Sequence, residues 1–94
     1  MNKALLALLM QLLNRKCIGG KHKPEKEIIT AKIRWLSNTE KREFDKEYRQ
    51  MVNDGIIMKM MKRTGKGDEW HISLNPSKLK EIYGMIGTET GERQ

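Results

Sequence analysis

The sequence predicts a small α+β domain, in which three helices are followed by a β-hairpin and a closing helix. Apolar residues recur at helical spacing in four segments of the chain. Between the third and the fourth segment, the spacing changes to the strict alternation that is typical of strands. Capping residues, prolines and glycines stand at the junctions, where helices begin and end. The length of 94 residues corresponds to one domain.

The first helix is predicted from about Asn2 to Arg15. Its leucines repeat at helical spacing: Leu5, Leu8, Leu9, Leu12 and Leu13. Leu6 and Met10 widen the apolar face, so this helix either lies at the centre of the domain or meets a second subunit. The apolar run is interrupted by Gln11 and is too short to span a bilayer. These features favour a core helix over a secretory signal.

A second helix is predicted from Pro24 to about Leu36, after the glycines at positions 19 and 20. Proline suits the first helical turn, because the N–H that it lacks would be unpaired there. Trp35 in this helix and Trp70 further on both lie in apolar periodicity. Either tryptophan could stack on nucleic-acid bases, but the periodicity favours packing in the core.

The third helix is predicted from about Thr39 to Asn53, because Ser37 and Glu40 have the spacing of a capping box and Gly55 suits a helix end. At about 100° per residue, the apolar side chains gather on one side. They are Phe44, Tyr48, Met51 and Val52. The opposite side carries basic, amide and hydroxyl groups: Thr39, Arg42, Lys46, Arg49, Gln50 and Asn53. The helix therefore has a polar outer face and an apolar inner face.

A β-hairpin is predicted from two alternating runs, Ile56–Met61 and Trp70–Leu74, around a turn that contains Gly65 and Gly67. Odd and even residues of a strand face opposite sides, so the apolar residues of this strand cannot all face the core. Met61 or Ile57 is therefore expected to be either covered by another element or exposed for a partner. A last helix follows, with an apolar stripe of Leu79, Ile82, Tyr83 and Ile86. The domain is expected to span residues 1–86. Residues 87–94 are expected to form a disordered tail.

The stretch from Tyr48 to Leu74 carries a resemblance to a known family. It contains the run Met51–Ile57, with Gly55 before a β-branched residue, then a basic strand and turn. This resembles winged-helix proteins, in particular small stand-alone prokaryotic ones, over about residues 5–86. The resemblance implies the order helix, helix, helix, strand, wing, strand, helix. The strand usual between the first two helices is here reduced to Cys17–Ile18 and glycines, so the sheet is expected to be only a hairpin.

The charge balance predicts a polyanionic partner, with nucleic acid first and an anionic membrane surface second. Lysine and arginine number 19 against 12 acids, a net charge of +7. We expect a cytoplasmic transcriptional regulator that binds double-stranded DNA, with the third helix (about 39–53) in the major groove and the wing (about 59–68) on the backbone. On the third helix, the candidate contacts are Thr39, Arg42, Lys46, Arg49, Gln50 and Asn53. Elsewhere, they are Lys62, Arg63 and Lys66 in the wing and Lys21 and Lys23 before the second helix.

Each candidate surface also has a plainer interpretation. The third helix could be a solvated surface whose flanking acids pair with its bases, and the wing could be a turn made soluble by charge. Lys21, His22 and Lys23 could form a solvated loop. A second function class is a winged-helix protein-interaction module, which the broad apolar first helix and the methionine-rich strand favour.

Enzymatic activity, cofactors and metal sites are not expected, since the sequence contains no catalytic motif and no complete ligand set. Cys17, the only cysteine, is expected to be buried rather than to act as a nucleophile. A zinc site is not expected, because only His22 and His71 could join it. No membrane association is expected. A homodimer through the first helix (Leu5–Leu13) and the last helix (Leu79–Ile86) is a further expectation.

Overall fold

The structure, a computed structural model, describes residues 1–91. This part of the chain contains four α-helices and a three-stranded antiparallel sheet with a hairpin. In chain order the elements are α1 (Lys3–Asn14), β1 (Lys23–Pro24), α2 (Glu25–Ile33), α3 (Asn38–Asn53), β2 (Ile57–Thr64), β3 (Gly67–Leu74), the 3-10 turn Pro76–Lys78 and α4 (Leu79–Thr90). The α+β class is therefore confirmed. No helix within residues 1–91 has the length and apolar character needed to cross a membrane.

The first helix, α1, lies at the centre of the core. Four of its leucines are completely buried: Leu5, Leu8, Leu9 and Leu12. Complete burial of such a side chain stabilises the fold by about 1.5–3 kcal/mol. Asn2 begins the helix, because its Oδ1 accepts hydrogen bonds from the amides of Ala4 and Leu5. Cys17, just after the helix, is also fully buried. The predictions of a core helix and of a buried cysteine are confirmed.

The sheet has three strands in the order β1-β3-β2, so the prediction of a hairpin alone was wrong. The third strand, β1, has only two residues and pairs Lys23 with Ile72 and Pro24 with His71. Two residues are too few to show alternation, and Pro24 is tolerated because β1 is an edge strand. Ile18, placed in a vestigial strand by the sequence, forms one isolated bridge with Leu74.

The hairpin itself has the predicted alternation, and all eight residues of β2 pair with β3. Ile57 is 1% exposed, whereas Met61 is 49% exposed. Helices therefore cover the beginning of β2, and its far half extends beyond the core. Ile72 and Leu74 of β3, which pair with the beginning of β2, are also fully buried.

Both tryptophans were predicted in the core, and both predictions were wrong. Trp35 is 85% exposed, because α2 ends at Ile33 and not near Leu36. The helical spacing that placed Trp35 on the apolar face does not continue through this turn. The guanidinium of Arg34 lies over its ring, 5.2 Å from the centroid. Trp70 is 45% exposed, because it lies on the far half of the hairpin.

The last helix extends further than predicted, since α4 continues to Thr90 and the boundary at residue 86 was wrong. An exposed final turn needs no apolar residue, and backbone hydrogen bonds can continue through it. The hydroxyls of Thr88 and Thr90 donate to the carbonyls of Gly84 and Ile86, at 3.0 and 2.9 Å. The rest of the predicted tail, from residue 92 onward, lies outside the described residues. In the predicted stripe, Ile82 is fully buried and Tyr83 is 61% exposed.

Candidate nucleic-acid interface

The helix α3 begins and ends where the sequence predicts. Ser37 and Glu40 form a complete capping box, in which the Glu40 amide donates to Ser37 Oγ and the Ser37 amide donates to Glu40 Oε1. Hydrogen bonds from Ser37 hold the pKa of Glu40 below its usual value. Gly55, after the helix, has a φ of +76°, a conformation that favours glycine. Local hydrogen bonding and this glycine therefore fix the two ends of the helix.

The two faces of α3 are sorted as predicted. On the inner face, Phe44 is 3% exposed, and its ring stacks on that of Tyr48 with the centroids 5.7 Å apart. Six polar side chains on the outer face are all exposed: Thr39, Arg42, Lys46, Arg49, Gln50 and Asn53. The buried aromatic pair holds the helix against the core, so its outer face has a defined orientation toward solvent.

Acids occupy only part of this outer face. Arg49 Nε lies 3.1 Å from Asp45 Oδ2, and Gln50 Nε2 donates to Asp54 Oδ1 at 2.9 Å. Among residues 1–91, Arg42 and Lys46 form no ion pair. The alternative in which flanking acids pair with the bases therefore applies to Arg49 but not to Arg42 or Lys46.

A polar network joins α2, α3 and β2 behind this face. Tyr48 Oη donates to Glu25 Oε2 at 2.6 Å, and Lys59 Nζ lies 3.1 Å from the same oxygen. Burial, together with Glu25, raises the pKa of Tyr48 far above its ordinary value. Lys59 Nζ also lies 4.8 Å from the centre of the Trp70 ring. The ammonium of Lys59 is therefore already engaged by Glu25 and Trp70. Its position in the basic strand did not indicate these contacts.

Two neighbouring grooves lie beside α3. A groove of about 300 Å³ is bordered by Arg49 and Asn53 of α3 and by Lys59 of β2, so the hairpin emerges next to one edge of the outer face. A second groove, of about 640 Å³, lies between α2, α3 and the hairpin. Its apolar lining consists of Ile29, Ile33, Phe44 and Trp70. Trp70 is paired across the strands with Met61, and both are about half exposed.

The wing holds its basic residues in different ways. At the turn, Thr64 Oγ1 accepts from the Lys66 amide at 3.2 Å and donates to the Gly67 carbonyl at 2.7 Å. Lys66 is exposed, and within the described part of the chain it has no acidic partner. Arg63 Nε lies 3.7 Å from Asp68 Oδ1, a loose pair in which the Arg63 side chain is 91% exposed.

Lys62 belongs to a polar cluster that the sequence analysis missed. Its Nζ lies 3.5 Å from His22 Nε2, and His22 Nδ1 lies 2.8 Å from His71 Nδ1. Partial burial, then the charge of Lys62, then His71 hold the pKa of His22 below its ordinary 6.5. The alternation of β3 placed His71 on the polar side of the strand, but no local pattern indicated that His22 would meet it.

The two lysines before α2 are separated from each other. Lys21 is exposed, whereas Lys23 is half-buried in β1 and borders a groove between α1 and α2 together with Arg15 and Glu27. The structure therefore does not place Lys23 with the other candidates. Within residues 1–91, no three histidine, cysteine, aspartate or glutamate side chains are grouped so that they could hold a metal ion.

Comparison of the chain with protein-family models, with curated proteins and with solved structures finds no significant match.

Proposed function

We propose that the chain is a winged-helix domain that binds duplex DNA and acts as a cytoplasmic transcriptional regulator. In this proposal α3 enters the major groove and the wing contacts the backbone. The position of β1 supports the fold, because winged-helix proteins usually have a strand between their first two helices. The net charge of +7 supports a polyanionic partner. The proposal includes no catalytic activity and no cofactor.

The main support for this proposal is the outer face of α3. Its side chains are the types that contact phosphate oxygens and the edges of purine bases. All six are exposed on one side of a helix whose other side is buried, and Arg42 and Lys46 have no acidic partner among the described residues. A major groove of about 12 Å admits one α-helix. The outer face of α3 is therefore suited to it in width and in hydrogen-bonding groups, although the helix as a whole carries as many acids as bases.

A matched pair of variants tests the proposal, with duplexes selected from a random pool as ligands. In the test variant, Arg42→Gln is combined with Lys46→Gln. The control combines Lys3→Gln with Lys80→Gln, exposed lysines that belong to α1 and α4 and not to α3. Both variants remove two positive charges. The slope of log affinity against log salt should flatten by about 0.9 for each phosphate that is no longer neutralised, in the test variant alone. Equal slopes in the two variants would contradict the proposal.

The selected duplexes also test sequence preference and symmetry. A shared motif is expected if the amide and guanidinium groups of α3 contact bases. Repeated half-sites are expected if the protein binds as a homodimer. The buried leucines of α1 are not accessible to a second subunit. A dimer through α1 and α4 would therefore use the apolar side chains that remain exposed, Met10 and Tyr83. A monomer mass by sedimentation at tens of micromolar would contradict the dimer.

A protein-interaction module is the second candidate, because the structure exposes large apolar side chains beside an apolar groove. Trp70 lines the groove between α2, α3 and the hairpin, and its cross-strand partner Met61 is 49% exposed. Exposed apolar patches of this kind commonly mark sites of protein contact. This alternative predicts only weak non-specific DNA association at physiological salt.

A further inference from the structure

Four polar side chains form a continuous row on the hairpin, which we call the imidazole row: Lys62, His22, His71 and Glu69. Lys62 and Glu69 are cross-strand partners in β2 and β3, and His22 immediately precedes β1. His71 alternates with the buried Ile72, so the row lies on the sheet face turned away from that core residue. The row thus joins both strands of the hairpin to the residue that precedes β1.

The positions of the ring hydrogens follow from the hydrogen-bond partners. The ammonium of Lys62 can only donate, so His22 Nε2, at 3.5 Å, is the acceptor. The hydrogen of a neutral His22 is then on Nδ1 and is donated to His71 Nδ1, at 2.8 Å. A neutral His71 then carries its hydrogen on Nε2, which is buried, has no hydrogen-bond partner among residues 1–91 and lies 3.9 Å from Glu69 Oε2. In this arrangement the ring of His22 is neutral and donates to His71.

An added proton is resisted by the groups that face His22. It would be placed on Nε2, directly opposite the charge of Lys62. Glu69 is the acid in the row, and it lies beyond His71. In the free protein, Lys62 and protonated His22 therefore oppose each other. An anion placed between the two groups would remove this repulsion, because both nitrogens would then donate to it.

We propose that His22 and Lys62 form a proton-linked site for a backbone phosphodiester of DNA, in which binding of the phosphate is accompanied by uptake of one proton at His22 Nε2. The separation of 3.5 Å between the two nitrogens allows one phosphate group to accept hydrogen bonds from both. His71 lies behind the site: its Nδ1 accepts a hydrogen bond from His22 Nδ1, on the side of the ring away from the proposed phosphate. The site rests on the proposed function, because it requires the wing to meet a nucleic-acid backbone.

Proton uptake makes the affinity for DNA depend on pH. The complex is favoured by acid, because phosphate raises the pKa of a histidine that the free protein holds below 6.5. With one proton taken up per complex, the affinity should rise by up to about tenfold for each pH unit lowered, starting near neutral pH. Only two histidines occur in the chain, so few other groups titrate in this range.

The experiment measures the affinity of a selected duplex at constant ionic strength, from about pH 5.5 to about pH 8. The intact chain should show the rise toward acid pH. His22→Gln should remove the pH dependence while binding persists, and Lys62→Gln should remove it and also flatten the salt dependence. His71→Gln is the matched control, because it removes the neighbouring imidazole and keeps the proposed proton acceptor. Its affinity should still rise toward acid pH. Circular dichroism across the range verifies that each variant is folded.

The outcomes separate this inference from the function on which it rests. Duplex binding that does not vary with pH, or that varies equally in His22→Gln, would overturn the phosphate site and leave the role of α3 intact. Absence of the pH dependence in the His71→Gln control, with His22 present and the variant folded, would also overturn it. Failure of the intact chain to bind any duplex at any pH would overturn both proposals.

Discussion

The helix α3 and the hairpin have the same number of basic residues but differ in what these side chains contact. Four basic residues lie on α3: Lys41, Arg42, Lys46 and Arg49. Four lie on the hairpin: Lys59, Lys62, Arg63 and Lys66. Among the described residues, Arg49 alone of the first group pairs with an acid. In the second group, Lys59 and Arg63 face acids and Lys62 faces His22.

The number of positive charges on a surface therefore does not measure how many of them a polyanion can reach. Apart from Arg49, which pairs with Asp45, the charges of α3 are accessible without rearrangement, and the buried Phe44 and Tyr48 hold the helix that carries them. The charges of the wing, apart from Lys66, must first leave a partner within the protein. We therefore expect α3 to supply most of the affinity for DNA. The contribution of the wing is expected to vary with pH.

The largest expected effect tests how firmly each surface is supported. Phe44→Ala removes an almost completely buried ring behind α3 and should lower the free energy of unfolding by about 3–5 kcal/mol. Trp70→Ala, on the hairpin, should lower it by less than about 2 kcal/mol, because the ring is only about half-buried. Denaturation by urea measures both values. Equal decreases would show that the hairpin is supported as firmly as α3.

A smaller effect concerns the contact between the two regions through Glu25. Tyr48→Phe removes the hydrogen bond to Glu25 and keeps the ring stacked on Phe44. The free energy of unfolding should fall by about 0.5–1.5 kcal/mol, the usual net value of one hydrogen bond. Lys59 still neutralises Glu25, so the carboxylate is not left without a partner. A decrease above about 3 kcal/mol would mean that the hydroxyl holds more of the structure than this one bond.

Two single substitutions compare the ion pairs of the two surfaces directly. Asp45→Asn releases Arg49 on α3, and Asp68→Asn releases Arg63 on the wing, with the same change in net charge. Both pairs are exposed, so the free energy of unfolding of each variant should differ from that of the original chain by less than about 0.5 kcal/mol. Affinity for DNA should rise several-fold more in Asp45→Asn, because the Arg63 pair is already loose at 3.7 Å. An equal rise in both variants would contradict the distinction between the two surfaces.

The smallest expected effect is the dependence of stability on pH in the free protein. The pKa of His22 lies below 6.5 in the folded chain, chiefly through burial and then through Lys62, so the unfolded chain takes up the proton first. The contribution of His22 to stability is therefore full above about pH 7.5. It falls as the pH decreases through 6.5 toward the lower pKa that His22 has in the folded chain. Thermal melting should show this fall, and His22→Gln should flatten it. A melting temperature that rises toward acid pH in this window would contradict it.

The sequence predicts best what local contacts determine. The bounds of α1 and α3, the capping box at Ser37 and Glu40, and the two faces of α3 all depend on residues within a few positions of one another. The hairpin likewise follows from the alternation around a glycine turn. For the same reason, the exposure of the six candidate residues of α3 follows from helical periodicity alone.

Features that depend on distant segments could not be predicted in this way. The strand β1 exists because Lys23 meets Ile72, and its two residues carry no period of their own. Trp35 is exposed because α2 ends two residues before it, and periodicity gives no sign of that end. The state of each wing cation depends on the fold, as for Lys59, which an acid from α2 binds.

Asn75 joins the residues that follow α3 to the 3-10 turn that precedes α4. Its Nδ2 donates to the Gly55 carbonyl at 2.8 Å, its Oδ1 accepts from the Ser77 amide at 3.0 Å, and its own amide donates to the Ile56 carbonyl at 3.0 Å. One residue thus links the segment after α3 to the turn before α4, which are about 20 residues apart in the chain. A displacement of α4, for example by a second molecule bound at the exposed Tyr83, is therefore expected to reach the segment after α3 through the hydrogen bonds of Asn75.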